Sequence, residues 1–268
     1  MYIVGERLNG MFKQVRQAIE ERDKNAIHEL ARAQVAAGAN ALDLNVGPST
    51  GDPVANMTWL AETAREATDA PLWIDSPRWS VQKEVIPRLS GPKGINSTKA
   101  DESALEKYLP LAVENGAALV GLTIDQKGVP ADAEKRVELG VQIMGKAMEA
   151  GLSPDLLFID PIILPVNVAP AQPANVLRAL AQLVVFSDPP PRLVIGLSNL
   201  SQNCTHRNLI NRIFLVMAQA AGLDAAILDP LDDDLMNALI TAEILLGKAI
   251  YCDGFLEAYR MRSQPAKA

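Results

Sequence analysis

Cysteine and histidine are scarce: Cys204 and Cys252, His28 and His206 are all that 268 residues contain. Two thiols cannot build a disulfide framework or a multi-thiolate metal site. Two imidazoles exclude a His-rich zinc or di-metal centre, so no metal ligand set is expected. Both thiols are expected to be buried and free rather than nucleophilic, because no adjacent base is evident. Positive charge is also in deficit, with 25 Lys and Arg against 32 Asp and Glu, a formal net charge of −7. No Lys/Arg cluster concentrates it, and an acidic surface repels a phosphate backbone, which excludes nucleic acid as a partner. Long hydrophobic runs are missing too. Leu156–Ala169, the most apolar stretch, is broken by Asp160, Pro161, Pro165 and Asn167 and cannot span a bilayer. The opening Met1-Tyr-Ile-Val-Gly-Glu-Arg7 reaches charged residues too early for a signal-peptide core. A soluble, cytoplasmic protein without a membrane partner is expected.

What is present is a core-forming chain, 49% apolar and 21% charged, with no low-complexity linker to divide it. One phrase recurs: an amphipathic stretch, a small-residue end with Gly, then a short apolar run closing on a polar residue. It occurs at Ala36-Ala-Gly38 through Asn45, Glu114-Asn-Gly116 through Thr123, Glu149-Ala-Gly151 through Asp160, and Ala221-Gly222 through Asp229. Gly suits the position after a helix, and apolar runs of four to six residues suit fully buried parallel strands. Eight strands are predicted, near Tyr2–Glu6, Ala41–Leu44, Leu72–Asp75, Lys93–Asn96, Leu119–Thr123, Leu156–Asp160, Leu193–Gly196 and Ala225–Leu228. Helices are predicted between them, including Glu102–Asn115, Lys135–Ala150, Pro173–Phe186, Leu209–Ala221 and Leu231–Leu246. Alternating βα units give an open doubly wound sheet or a closed barrel. Gly5-Glu-Arg-Leu-Asn-Gly10 lacks the G-x-G-x-x-G spacing of the open sheet. Eight units of roughly thirty residues match the barrel, so a single (β/α)8 TIM barrel over residues 1–268 is expected.

Active sites of such barrels lie at the C-terminal strand ends. Those ends carry Glu6 with Asn9, Asp43 with Asn45, Asp75, Asn96, Thr123 with Asp125, Asp160, Ser198 with Asn199, and Asp229. Any one of these can simply cap the next helix or close a turn. As a set, carboxylates that only accept hydrogen bonds and amides that both donate and accept suit a planar heterocycle rich in N–H donors. An aminopyrimidinone edge, as in pterins and purines, offers two donors side by side to one carboxylate. Phosphorylated sugars fit poorly, because the seventh and eighth loops lack a Gly-rich phosphate cradle.

Six motifs in order at strand ends carry a family resemblance: Val4-Gly-Glu-Arg-Leu-Asn-Gly10, Leu42-Asp-Leu-Asn-Val46, Trp73-Ile-Asp-Ser76, Gly94-Ile-Asn-Ser-Thr98, Phe158-Ile-Asp-Pro161 and Gly196-Leu-Ser-Asn-Leu-Ser-Gln202. Together they resemble the pterin-binding methyltransferases. These include the folate domain of cobalamin-dependent methionine synthase and the methyltetrahydrofolate:corrinoid/iron–sulfur protein methyltransferases. The likeness is fullest to the latter and extends to Ser201-Gln-Asn-Cys204, Leu209-Ile-Asn-Arg-Ile-Phe214 and Ala242-Glu-Ile-Leu-Leu246. It implies that Asp75, Asn96 and Asp160 hold the pterin ring and that Asn199, the catalytic candidate, sits near N5. By the same resemblance Gln202 and Arg207 line the folate site, with Glu6 and Asn9 nearby. Arg207 can equally be an ordinary loop arginine. His206 is expected in a solvated loop and His28 on the outer face of the first helix.

The implied reaction is methyl transfer between N5 of methyltetrahydrofolate and the cobalt of a corrinoid. The B12-binding signature Asp-x-His-x-x-Gly is absent from the sequence, so the corrinoid is expected on a transiently docked partner protein, and a homodimer is implied by the family. Ser76-Pro-Arg-Trp79, Asp125-Gln-Lys127 and Leu228-Asp-Pro-Leu-Asp-Asp-Asp234 depart from the family's pattern on the expected partner face. Two alternatives stay open: a dihydropteroate synthase-like pterin enzyme, which needs basic residues for its pyrophosphate where this chain has the acidic Leu228–Asp234, and a non-catalytic pterin-binding protein.

Overall fold

Each small-residue helix end turns the chain into a short apolar strand; Gly116, at φ +56°, closes one such helix and donates its N–H back to Val113. The computed structural model describes residues 1–49 and 51–263, with side chains described to residue 259. In chain order the elements are β1 (Tyr2–Asn9), α1 (Lys13–Glu21), α2 (Lys24–Ala36), β2 (Ala41–Asn45), α3 (Pro53–Ala67), β3 (Leu72–Asp75), α4 (Trp79–Val85), β4 (Lys93–Lys99) and α5 (Glu102–Asn115). There follow β5 (Ala118–Leu122), α6 (Ala133–Glu149), β6 (Leu157–Asp160), α7 (Gln172–Leu183), β7 (Arg192–Gly196), α8 (Arg207–Ala220), β8 (Ala225–Leu228), α9 (Asp233–Leu245) and α10 (Phe255–Ser263). Every strand pairs in parallel with its sequence neighbours, and β1 pairs with β8. The sheet is therefore closed, the (β/α)8 barrel expected from the repeats. No described helix is long and apolar enough to cross a membrane.

Differences from the predicted elements have local causes. Asp132 and Asp232 cap α6 and α9 through their side chains, accepting from the N–H of Lys135 and Leu235. Both helices therefore begin away from the predicted residues, α6 earlier at Ala133 and α9 later at Asp233. β1 runs to Asn9 rather than stopping at Glu6. Its register against β2 shifts between Gly5 and Leu8, and fully buried Gln34 of α2 takes up the Arg7 N–H at 2.9 Å. Two helices, not one, join β1 to β2. His28 consequently lies on the second of them, half-buried, with Nε2 3.2 Å from Glu66 Oε2 on α3. The thiols are free as expected, yet Cys204 is only half-buried and Cys252 is exposed. Both fall in loops outside the helices and strands, which corrects their expected burial.

Two apolar cores result, one between sheet and helices and a smaller one inside the barrel. The inner core is plugged by three aromatic rings. Trp73 meets Phe158 edge-on at 4.8 Å between centroids, and Tyr2 packs on both. Gly94 makes room for the plug, since a Cβ there would sit 2.5 Å from the Trp73 ring. Gly94→Ala is therefore expected to lower unfolding free energy by about 1–3 kcal/mol, measured by urea denaturation. An unchanged midpoint would mean that the plug relaxes freely.

Candidate functional site

Successive side chains of a strand alternate between faces. Val4, Ala41, Trp73, Phe158, Val194 and Ile227 belong to the inner core, and Gly94 abuts its Trp73 ring. Two residues further along each chain come Glu6, Asp43, Asp75, Asp160, Gly196, Asp229 and Asn96. The aromatic plug is thus roofed on most strands by a layer of carboxyls and one amide, at the C-terminal mouth of the barrel. The alternation that buries the plug also builds the site.

Within this layer Asn96 Nδ2 donates to Asp43 Oδ1 at 3.0 Å, and Asn45 Nδ2 donates to Asp75 Oδ2 at 2.7 Å. Ile162 N donates to Asp160 Oδ1 at 2.7 Å, and Ser198 Oγ to Glu6 Oε1 at 2.6 Å. Gln82, fully buried on α4, ties Ile74, Ser76 and Asn96 carbonyls together behind β3 and β4. Asp75 and Asp160 each keep a second carboxyl oxygen, and Asn96 its single Oδ1, outside these bonds. Burial raises all four carboxyls above their ordinary values, the dominant cause in each case. Asp43 is pushed up further by the charges of Asp75 and Glu6. Glu6 reaches about 7 despite its Ser198 hydrogen bond, with Asp229 adding to the rise. Asp160 also reaches about 7, although the Ile162 N–H and the Arg136 charge pull it down.

Beside the layer, over β1, β7 and β8, opens a cavity of about 670 Å³. Glu6, Asn9, Asn199 and Arg207 line it, with Arg7, Phe12 and the acidic run Asp229, Asp232, Asp233 and Asp234. Asn199 ends a 3-10 turn directly after β7, and its amide has no hydrogen-bond partner among the described residues. Arg207 opens α8, donating to Ser201 Oγ and the Ser198 carbonyl, both at 3.2 Å. Arg7 pairs with Asp229 at 3.1 Å and lies over the Phe12 ring. Of the residues given a role by the resemblance, Glu6, Asn9, Asn199 and Arg207 therefore share this wall, together with Ser198 and Asp229 of the strand-end ring. Asp75 and Asn96 are joined to it through Asp43, which accepts from Asn96 and whose titration senses Glu6 and Asp75; neither they nor Asp160 are part of its lining. Gln202 is exposed in the following turn, also outside the lining. Asp125 does the bland job, closing its own turn on Lys127 N. His206, in a loop as expected, is exposed.

The pterin binding enzyme family model matches residues 6–229, from the first carboxyl of the layer to the last. The chain belongs to the pterin-binding enzyme family. Over 97% of its length it is 32% identical to methylcorrinoid:tetrahydrofolate methyltransferase of Eubacterium limosum, of which it covers 96%. It is 30% identical over 84% of its length to methionine synthase of Mycobacterium tuberculosis, but spans only 20% of that larger protein. These relatives put the chain in the family's methyltransferase branch, the one its motifs resemble. The fold is shared with a dihydropteroate synthase of Coxiella burnetii in complex with pteroic acid, at a TM-score of 0.69 and 14% identity, over 92% of this chain and 94% of that one.

Asp43 was visible in the sequence only as one member of the ring; counting two residues on from Ala41 would have placed it in the buried layer. Arg136, Gln34 and Gln82, which brace the layer from the helices, carry no such signal. Glu6 holds a proton in the fold up to about pH 7 that an unfolded chain gives up near its ordinary value. Its contribution to stability is therefore full at low pH and is lost as pH rises through that window. Glu6→Gln is expected to gain stability relative to wild type between pH 4.5 and 7.5, by up to about 3 kcal/mol. Denaturant titrations at both pH values measure it, and a difference independent of pH would show that Glu6 is ionised in the fold throughout.

Proposed function

We propose that this chain binds tetrahydrofolate and catalyses methyl transfer between its N5 and the cobalt of a corrinoid carried on a transient partner protein. The observation that carries this reading is the amide of Asn199 on the cavity wall, which has no hydrogen-bond partner among the described residues, next to a layer of carboxyl groups with open oxygens. Asp75, Asn96 and Asp160 offer acceptors to the N–H edge of the pterin, while Glu6, Asn9 and Arg207 border the rest of the folate. The Eubacterium relative's name favours transfer towards tetrahydrofolate. In that direction N5 takes the methyl as its own proton leaves, and the electron pair of the cobalt–carbon bond stays with cobalt. The Asn199 amide can accept from N5–H before transfer and donate to the N5 lone pair after it, so it serves either direction.

The acidic wall Asp229–Asp234 speaks against a dihydropteroate synthase, whose diphosphate needs cations. An exposed apolar row on α8, Leu209, Ile213 and Met217, supports pairing of two copies, and free thiols suit a cytoplasmic setting. Mixing the protein with methyltetrahydrofolate and reduced free cobalamin tests the reaction. Methyl–cobalt formation supports it, and binding without turnover would leave only a pterin-binding protein.

Asn199→Ala is expected to lower the transfer rate by about 10²-fold with little change in folate affinity; an unchanged rate at saturating folate removes Asn199 from the mechanism. The pterin edge wants an ionised carboxylate, so wild-type affinity for tetrahydrofolate is expected to climb with pH and level off above about 7, where Asp160 is ionised. Asp160→Asn is expected to bind more weakly and to lose much of that climb. Wild-type affinity in this variant would mean that the pterin lies elsewhere.

A further inference from the structure

Arg136 sits behind the mouth on α6, fully buried, and forms no ion pair among the described residues. A buried cation that no carboxylate contacts directly is costly, so its retention calls for a reason. Every donor it uses goes to a neutral oxygen. Nε reaches the Pro161 carbonyl at 2.7 Å and Nη1 the Asp132 carbonyl at 2.9 Å. Nη2 reaches Gln172 Oε1, and Gln172 is anchored in turn on the Ala131 carbonyl. Pro161 directly follows Asp160. The next residue, Ile162, is held at φ +58°, a left-handed conformation that β-branched side chains rarely adopt. In that conformation its N–H points back onto Asp160 Oδ1. The planar fork of Arg136 therefore fixes a carbonyl, the carbonyl fixes a turn, and the turn fixes one oxygen of the carboxyl.

We propose that Arg136 is a positioning residue: it locks the turn after β6 so that Asp160 presents its remaining oxygen to the pterin, and it sets a positive charge behind that carboxylate. The inference rests on the assignment of Asp160 to the pterin edge. Arg136 is the charged group of α6 that acts on Asp160, and Asp132 at the α6 cap acts on Arg136. From the other strands, Asp75, Asp43 and Glu6 titrate in the same mouth. A lysine keeps the charge but cannot hold Pro161 and Gln172 at once.

Tetrahydrofolate affinity, measured from pH 5.5 to 8.5 on wild type, D160N, R136M and R136K, tests this. R136M is expected to bind about tenfold more weakly at pH 7, with the midpoint of its pH profile raised by about one unit. R136K is expected to keep the wild-type midpoint and lose about three- to tenfold in affinity. A folded R136M with wild-type affinity and midpoint overturns the proposal. If R136M does not fold, R136K decides, and wild-type binding by it does the same. D160N binding as tightly as wild type overturns both this proposal and the Asp160 assignment. Weak binding by D160N beside unaltered Arg136 variants overturns the role of Arg136 alone.

Discussion

Closure of the sheet imposes one constraint from which the rest follows. A barrel of eight short parallel strands has an interior only wide enough for side chains, filled in layers contributed by the strands. Once Val4, Ala41, Trp73 and Phe158 occupy the lower layer, the next inward position on those and neighbouring strands is fixed by alternation. In this chain that position is held by Glu6, Asp43, Asp75, Asn96 and Asp160. Carboxyl groups are thereby crowded on top of an apolar plug, with one wall of protein and one open side.

Crowding explains the chemistry of the mouth. Desolvation and mutual repulsion both favour protonated carboxyls, and the protein answers with a small number of directed donors: Asn96 to Asp43, Asn45 to Asp75, Ser198 to Glu6, Ile162 N–H to Asp160. Each leaves acceptor capacity unused. A neutral ring bearing several N–H groups relieves this arrangement in a way that an anion cannot, because it supplies donors without adding negative charge. The same reasoning separates this mouth from that of an enzyme expelling diphosphate, although the two folds superimpose over most of their length.

Support for the layer comes from behind the strands. Gln34 fills the gap where β1 shifts register, Gln82 joins the ends of β3 and β4, and Arg136 holds the turn after β6. All three are polar, fully buried and helical. They show how a helix layer, usually described as apolar packing, also orients polar groups at the strand ends through side chains that reach backbone atoms.

The order of strands, the barrel and the ring of Asp and Asn at its mouth were legible in the primary sequence, because glycine-ended helices and buried strands leave local marks in composition and spacing. Such marks depend on neighbours a few residues apart. Which ring members bond to one another, that Asn96 donates to Asp43 and Asn45 to Asp75, and that Asp125 merely closes a turn were decided by the fold. So was the sharing of one cavity by Glu6, Asn9, Asn199 and Arg207, while Gln202 faces solvent. The division has a physical reason: cross-strand register and the helix-to-loop bonds of Gln34, Gln82 and Arg136 join residues brought together only when the barrel closes, and no local pattern encodes them.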